Sequence, residues 1–212
     1  MKKMIGFDQE FDSILNQLLD NKLSNSLLLT GNKGIGKKYF ISQLFQEYIK
    51  KRVESEKTIH HLSLIKNNSH PNIKIVEKEI DEKTKKLKNF IIIDQIRKIN
   101  QFSFETSIIE NIPKFIVIDS ADDMNLNASN ALLKILEEPK LNTYFFLISH
   151  QPSSLLSTIK SRCLKINLSN HNYDNFSKII AISNPDMDEE TKKFLYDISN
   201  GSPGLINEYE FD

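Results

Sequence analysis

Positions 26 to 30 read Ser-Leu-Leu-Leu-Thr, an apolar run too short for a helix and too uniform for a half-exposed strand. Two longer runs share this character: Phe115-Ile116-Val117-Ile118-Asp119, and Thr143 to Ser149 with Tyr144-Phe145-Phe146-Leu147-Ile148 inside it. Runs of this kind predict strands buried on both faces. Ile73 to Val76, Phe90 to Ile93 and Leu164 to Leu168 are shorter strand candidates. Between these runs the apolar positions recur at helical spacing. Phe7, Phe11, Ile14, Leu15 and Leu18 mark one amphipathic helix, and Phe40, Ile41, Leu44, Phe45 and Tyr48 a second. Ile96, Ile99 and Phe102 follow a helix start near Asp94. Ala128, Ala131, Leu132, Ile135 and Leu136 mark another helix, with Asn127 as the expected N-cap and Glu138-Pro139 as the stop. A further helix is expected through Leu155, Leu156 and Ile159. Solid apolar strands alternating with helices predict an α/β fold, a parallel sheet flanked by helices.

Beyond Leu168 the pattern becomes helical, with segments at 172–182 and 188–198 followed by the turn Asn200-Gly201-Ser202-Pro203-Gly204. The expected organisation is therefore an α/β core over 1–168 and a small, incomplete helical lid over 169–212. Residues 51–70 are polar and receive no element. Within them His60 and His61 are neighbours that cannot both face one centre, so they and His70 read as surface histidines rather than zinc ligands. Glu77 to Lys88 reads as a solvated loop or hairpin tip.

Composition narrows the class. A chain of 212 residues can hold one sizeable core and a small second domain. With 28 basic and 28 acidic side chains, nucleic-acid binding driven by net charge is disfavoured, although a local basic patch stays open. One cysteine excludes an intramolecular disulfide and an all-cysteine zinc site within one subunit. No apolar stretch is long enough to cross a bilayer, and the expected location is the cytoplasm.

The first strand runs into Gly31-Asn32-Lys33-Gly34-Ile35-Gly36-Lys37, a glycine loop of the kind whose backbone N–H groups and lysine cradle phosphate. The next residue is Lys38, where the motif places the Ser or Thr that holds magnesium. Asp119, at a strand end, stands where a metal-binding aspartate belongs, but Ser120 after it offers no base. Asp122 and Asp123 either cap the turn leaving the strand or substitute for that base. The candidate nucleotide-binding residues are thus Gly31, Gly34, Gly36, Lys37 and Asp119. Three readings fit the loop: a glycine turn without phosphate chemistry, retained phosphate or nucleotide binding, and a relic that keeps the fold. Lys38 and Ser120 together argue against self-contained hydrolysis. Arg162, at an expected helix end, could stabilise a phosphate transferring on a neighbouring protein. From spacing alone it reads as an ordinary surface arginine.

Several motifs occur in one order along the chain: Gly34-Ile35-Gly36-Lys37, His70-Pro71, Ile93-Asp94-Gln95-Ile96-Arg97, and Asn130-Ala131-Leu132-Leu133-Lys134-Ile135-Leu136-Glu137-Glu138-Pro139. Leu155-Leu156-Ser157-Thr158-Ile159-Lys160, Ser161-Arg162-Cys163 and Gly201-Ser202-Pro203-Gly204 continue it. In this set the chain resembles the delta-prime family of bacterial DNA polymerase III clamp loaders, of the AAA+ class. The resemblance implies an AAA+ P-loop sheet and a non-hydrolytic, stator-like subunit. It implies that Arg162 is a catalytic finger acting in trans on the ATP of an adjacent motor subunit. Implied partners are the motor and delta subunits and, through the complex, the sliding clamp and primed DNA, with no membrane. No cofactor is required; weak or relic ATP or ADP binding is compatible, and neither zinc nor another metal is expected. Ser149 falls at the family's first sensor position, with a structural hydrogen bond as its expected use. Gly204 stands where the second sensor would be an arginine. The helix from Asn130 to Glu138 is expected to close the sheet, with room for a subunit contact. The resemblance also implies a C-terminal collar domain in the family, which these 212 residues are expected to lack. The alternative implied by related subunits is an ATP-hydrolysing motor, and a third reading is a nucleic-acid-binding domain without a loader role.

Overall fold

The apolar runs pair with one another. In the computed structural model, which describes residues 4–105, 109 and 111–208, they form β1 (Ser26–Thr30), β3 (Lys114–Asp119) and β4 (Thr143–Ser149). The outer ends of the two expected domains, residues 1–3 and 209–212, lie outside the described residues. With β2 (Ile73–Val76) and β5 (Leu164–Asn167) the strands make a parallel sheet in the order β2-β3-β4-β1-β5. Leu27 lies opposite both Phe146 and Leu164, and Thr30 opposite both Ser149 and Asn167. All carboxyl ends therefore meet at one edge of the sheet and all amino ends at the other. That edge is where ligands are taken in open α/β sheets.

Alternation along each buried strand sends side chains into two cores. Leu27, Leu29, Phe115, Val117, Phe146 and Ile148 face α1 (Asp8–Leu19) and α2 (Lys37–Arg52). There Phe45 stacks on Phe115 with ring centroids 4.4 Å apart. Leu28, Ile116, Ile118, Phe145 and Leu147 face α4 (Ile93–Phe104), α5 (Leu126–Glu137) and α6 (Ser157–Arg162). Each such side chain contributes roughly 1.5–3 kcal/mol by leaving water, which is why the continuous runs dictate the sheet. Beyond β5, α7 (Tyr173–Ser183) and α8 (Glu189–Ser199) enclose a smaller core of Phe176, Ile180, Leu195 and Ile206. Asn172 and Asp188 cap these helices through their side chains.

Five expectations are corrected. The unassigned stretch 51–70 contains a helix, α3 (Ser55–Lys66). His61 and His70 are buried rather than on the surface, with His61 Nδ1 3.2 Å from His70 Nε2. Phe90 to Ile93 is not a strand: Ile91 makes a single bridge to Met124, because its N–H and carbonyl bond Asp123 and Asn125 in the turn after β3. The cap of α5 is Asn125, whose side chain accepts from the Ala128 N–H, and not Asn127. Leu155 and Leu156 precede α6, which begins at Ser157. The 77–88 segment does turn back on itself, through an antiparallel bridge between Ile80 and Leu87. Among the described residues no helix is long and apolar enough to cross a membrane.

Candidate functional site

At the carboxyl edge of the sheet, β1 hands the chain to Gly31, and Gly36 precedes α2 with a φ of +99°. A side chain is strained in that left-handed region, which accounts for glycine there. Lys37 opens α2 and is buried, and its ammonium turns back to donate to the carbonyls of Gly31 at 2.5 Å and Asn32 at 2.7 Å. Burial lowers it to about 8, against the pull of the Asp122 and Asp119 charges. The structure thus brings Gly31, Gly34, Gly36, Lys37 and Asp119 to one edge, with the lysine satisfied by its own loop.

Lys38 points the other way. Its Nζ lies 2.7 Å from Glu77 Oε2 and 3.4 Å from Asp119 Oδ2. Burial alone would lower this ammonium, but the Glu77 hydrogen bond and the two carboxylate charges raise it above the usual lysine range. A magnesium ion would have to displace an ammonium from Asp119 and would find no loop hydroxyl. These residues do not fit it as they stand. Glu77, in the segment expected to be solvated, has a side chain 56% exposed, and because Val76 lies opposite Ile118 it is level with Asp119.

The acidic turn after β3 is also engaged. Asp122 accepts from Ser149 Oγ at 2.7 Å and from the backbone N–H groups of His150 and Gln151, tying the turn to the end of β4. Asp123 accepts from Ser120 Oγ and pairs with Lys78, each at 3.0 Å. The capping reading of these aspartates fits, except that Asp122 caps the neighbouring strand rather than its own turn. Ser149 makes the structural hydrogen bond expected of it. Glu77, Asp119, Asp122 and Asp123 line an open cleft of about 1990 Å³ together with Asn32 and His150.

The turn after α8 sits directly on the glycine loop. The Gly204 N–H donates to the Gly34 carbonyl at 2.8 Å. A Cβ on Gly204 would stand 2.8 Å from that oxygen, and a Cβ on Gly34 would stand 2.8 Å from Leu205. Beneath the loop, the buried His171 ring lies 3.1 Å from the Ile35 carbonyl through Nε2. A side chain at position 204 would press on loop backbone.

Arg162 is at the opposite edge. It is the last residue of α6, and its guanidinium pairs with Glu137 at 2.6 Å and donates to the Thr158 carbonyl at 3.0 Å. Cys163 beside it turns into the core, where burial raises the thiol to about 11. Because Leu164 is opposite Leu27, Arg162 is level with Asn25, six residues short of Gly31. At roughly 3.3 Å per residue this is about 20 Å along the strand direction, well beyond an arginine's reach.

The family model for the DNA polymerase III delta subunit matches residues 8–172. The chain belongs to this family. Delta-prime subunits are similar to it over most of its length. That of Pseudomonas aeruginosa is 33% identical over 85% of this chain and 54% of its own, and that of Bacillus subtilis 32% identical over 71% and 44%. The chain thus spans about half the length of the curated relatives it matches. In fold it is similar to the RuvB Holliday junction branch migration motor of Thermotoga maritima, with a TM-score of 0.56, 17% identity, and coverage of 94% of this chain and 58% of that one. The architecture is that of an AAA+ P-loop protein. Family membership covers the glycine loop, Asp119 and Arg162 alike, and it leaves their roles to geometry.

Proposed function

We propose that the chain is a non-hydrolytic, stator-like subunit of the DNA polymerase III clamp loader. In this reading Arg162 completes the ATP site of an adjacent motor subunit during loading of the sliding clamp onto primed DNA. The observation that carries it is the position of Arg162 at the amino edge of the sheet, about 20 Å along the strands from its own glycine loop. From there the guanidinium can reach a phosphate only on another molecule. A positioned arginine stabilises the charge spreading over a transferring phosphoryl group, an effect worth about 10³-fold or more in rate. The non-hydrolytic half rests on Lys38 against Asp119, on Ser120 spent on Asp123, and on Gly204 packed against Gly34. Partners in this reading are the motor and delta subunits, and the clamp and primed DNA through them. The domain reading proposed with it is a core over 1–168 with a lid over 169–212.

The test is a reconstituted loader containing Arg162→Ala. DNA-stimulated ATP hydrolysis at the site this subunit completes is expected to fall about 10³-fold, with Arg162→Lys also impaired because an ammonium lacks the planar fork. The Arg162 and Glu137 side chains are 34% and 49% exposed, so their ion pair contributes at most about 1 kcal/mol and the variant keeps its fold. Unchanged hydrolysis in a complex of normal size would overturn the assignment. Magnesium-dependent turnover by the chain alone, abolished by Lys37→Ala, would favour the hydrolysing motor instead.

A further inference from the structure

Beside the glycine loop, the Lys38 ammonium lies against Asp119, the carboxylate at which such a motif would hold magnesium. We propose that Lys38 is a built-in cation that stands in for the metal, neutralising Asp119 and Glu77 so that this edge of the sheet is charge-balanced without a divalent ion. The inference rests on the non-hydrolytic half of the proposed function and is independent of Arg162.

The Asp119 side chain is only 18% exposed, and a carboxylate that far from water needs a cation or hydrogen-bond donors. Asp122 and Asp123 are otherwise engaged, Asp122 by Ser149 and two backbone N–H groups, and Asp123 by Lys78 and Ser120. Lys37, the nearer cation in sequence, is turned onto the carbonyls of Gly31 and Asn32. Lys38 is left to serve Asp119, and it does so from the second residue of α2, the position from which a Ser or Thr hydroxyl would reach the metal. Its ammonium also draws in Glu77 from the end of β2, so one monovalent group bridges two carboxylates as a divalent ion would. A divalent ion approaching Asp119 would in addition meet repulsion from both Lys37 and Lys38.

The experiment is thermal unfolding of the 212-residue chain in EDTA and in magnesium chloride at matched ionic strength, for wild type, Lys38→Thr and Lys38→Arg. Two carboxylates and a hydroxyl hold magnesium weakly, so the response is read at about 10 mM. Wild type and Lys38→Arg are expected to melt at the same temperature in both buffers. Lys38→Thr is expected to melt about 2–4 °C lower in EDTA and to recover in magnesium. The proposal is overturned if magnesium stabilises the wild type. It is equally overturned if Lys38→Thr loses nothing in EDTA or fails to respond to the metal. Should Lys38→Thr unfold too readily to melt, water-proton relaxation with Mn²⁺ on the wild-type chain decides. No bound ion is expected, and an ion held at this edge and displaced by magnesium would sink the idea. Failure here would leave the Arg162 reading intact, since hydrolysis in the assembled loader is read separately.

Discussion

His70 shows how one side chain can matter for fold rather than chemistry. Its Nδ1 accepts the Asn72 N–H at 3.2 Å, so in the neutral ring the proton is on Nε2, which donates to His61 Nδ1. Neither ring can gain a proton without breaking this chain of donors. Burial, followed by the charges of His61 and His60, pushes His70 down to about 4, and His61 is lowered as well. A folded-state value below the unfolded one means that the native state binds fewer protons. Its stabilising effect is then present above about pH 6.5 and is lost as pH falls toward 4. Between pH 7.5 and 5.0 this residue should remove about 2 kcal/mol, visible as a lower urea midpoint. In His70→Gln that shift should shrink, even though the variant starts less stable. An unchanged shift would assign the pH response elsewhere. None of this was legible in sequence, because polar neighbours made His61 and His70 look exposed, and only tertiary packing buries them.

At the scale of elements, the sequence carried what local chemistry decides and left open what tertiary pairing decides. The strands β1 and β4 lie where their solid apolar runs predict them, since a strand inside the sheet buries every residue of the run, and the shorter, half-buried β2 lies at Ile73–Val76 as expected. The start of α5 is different. Asn125 and Asn127 are both good cap residues two positions apart, and local preference does not separate them. The choice is made by Ile91, whose carbonyl takes the Asn125 N–H and fixes that residue in the extended conformation a cap requires. Asn125→Ala should therefore cost about 1 kcal/mol in chemical unfolding, while Asn127→Ala should change stability by a few tenths at most. Equal effects would return the cap to the sequence-based position. The same pairing explains why Phe90 to Ile93 is not a strand: Ile91 is used up in holding a turn.

For the whole molecule, the candidate site was readable as a set of residue types but not as an arrangement. Gly31 to Lys37, Asp119 and Arg162 all stand out in the chain, yet nothing in their spacing says that the arginine and the loop occupy opposite edges of one sheet. The parallel register of β5 against β1 says it. Nor does the sequence announce that the turn after α8 rests on the loop through Gly204 and Gly34. That contact joins the α7–α8 layer to the sheet at the place where phosphate would lie, and it is made between two backbones with no room for a side chain. Gly204→Ala tests it. The added Cβ, 2.8 Å from the Gly34 oxygen and 3.0 Å from its Cα, must lift the turn off the loop. Overpacking of this kind costs about 1–3 kcal/mol, so the variant should melt several degrees lower. The 204 amide should also exchange faster with solvent, while amides in the centre of β1 and β4 keep their order of protection. If both measurements match the wild type, the turn after α8 is not anchored to the glycine loop by this contact.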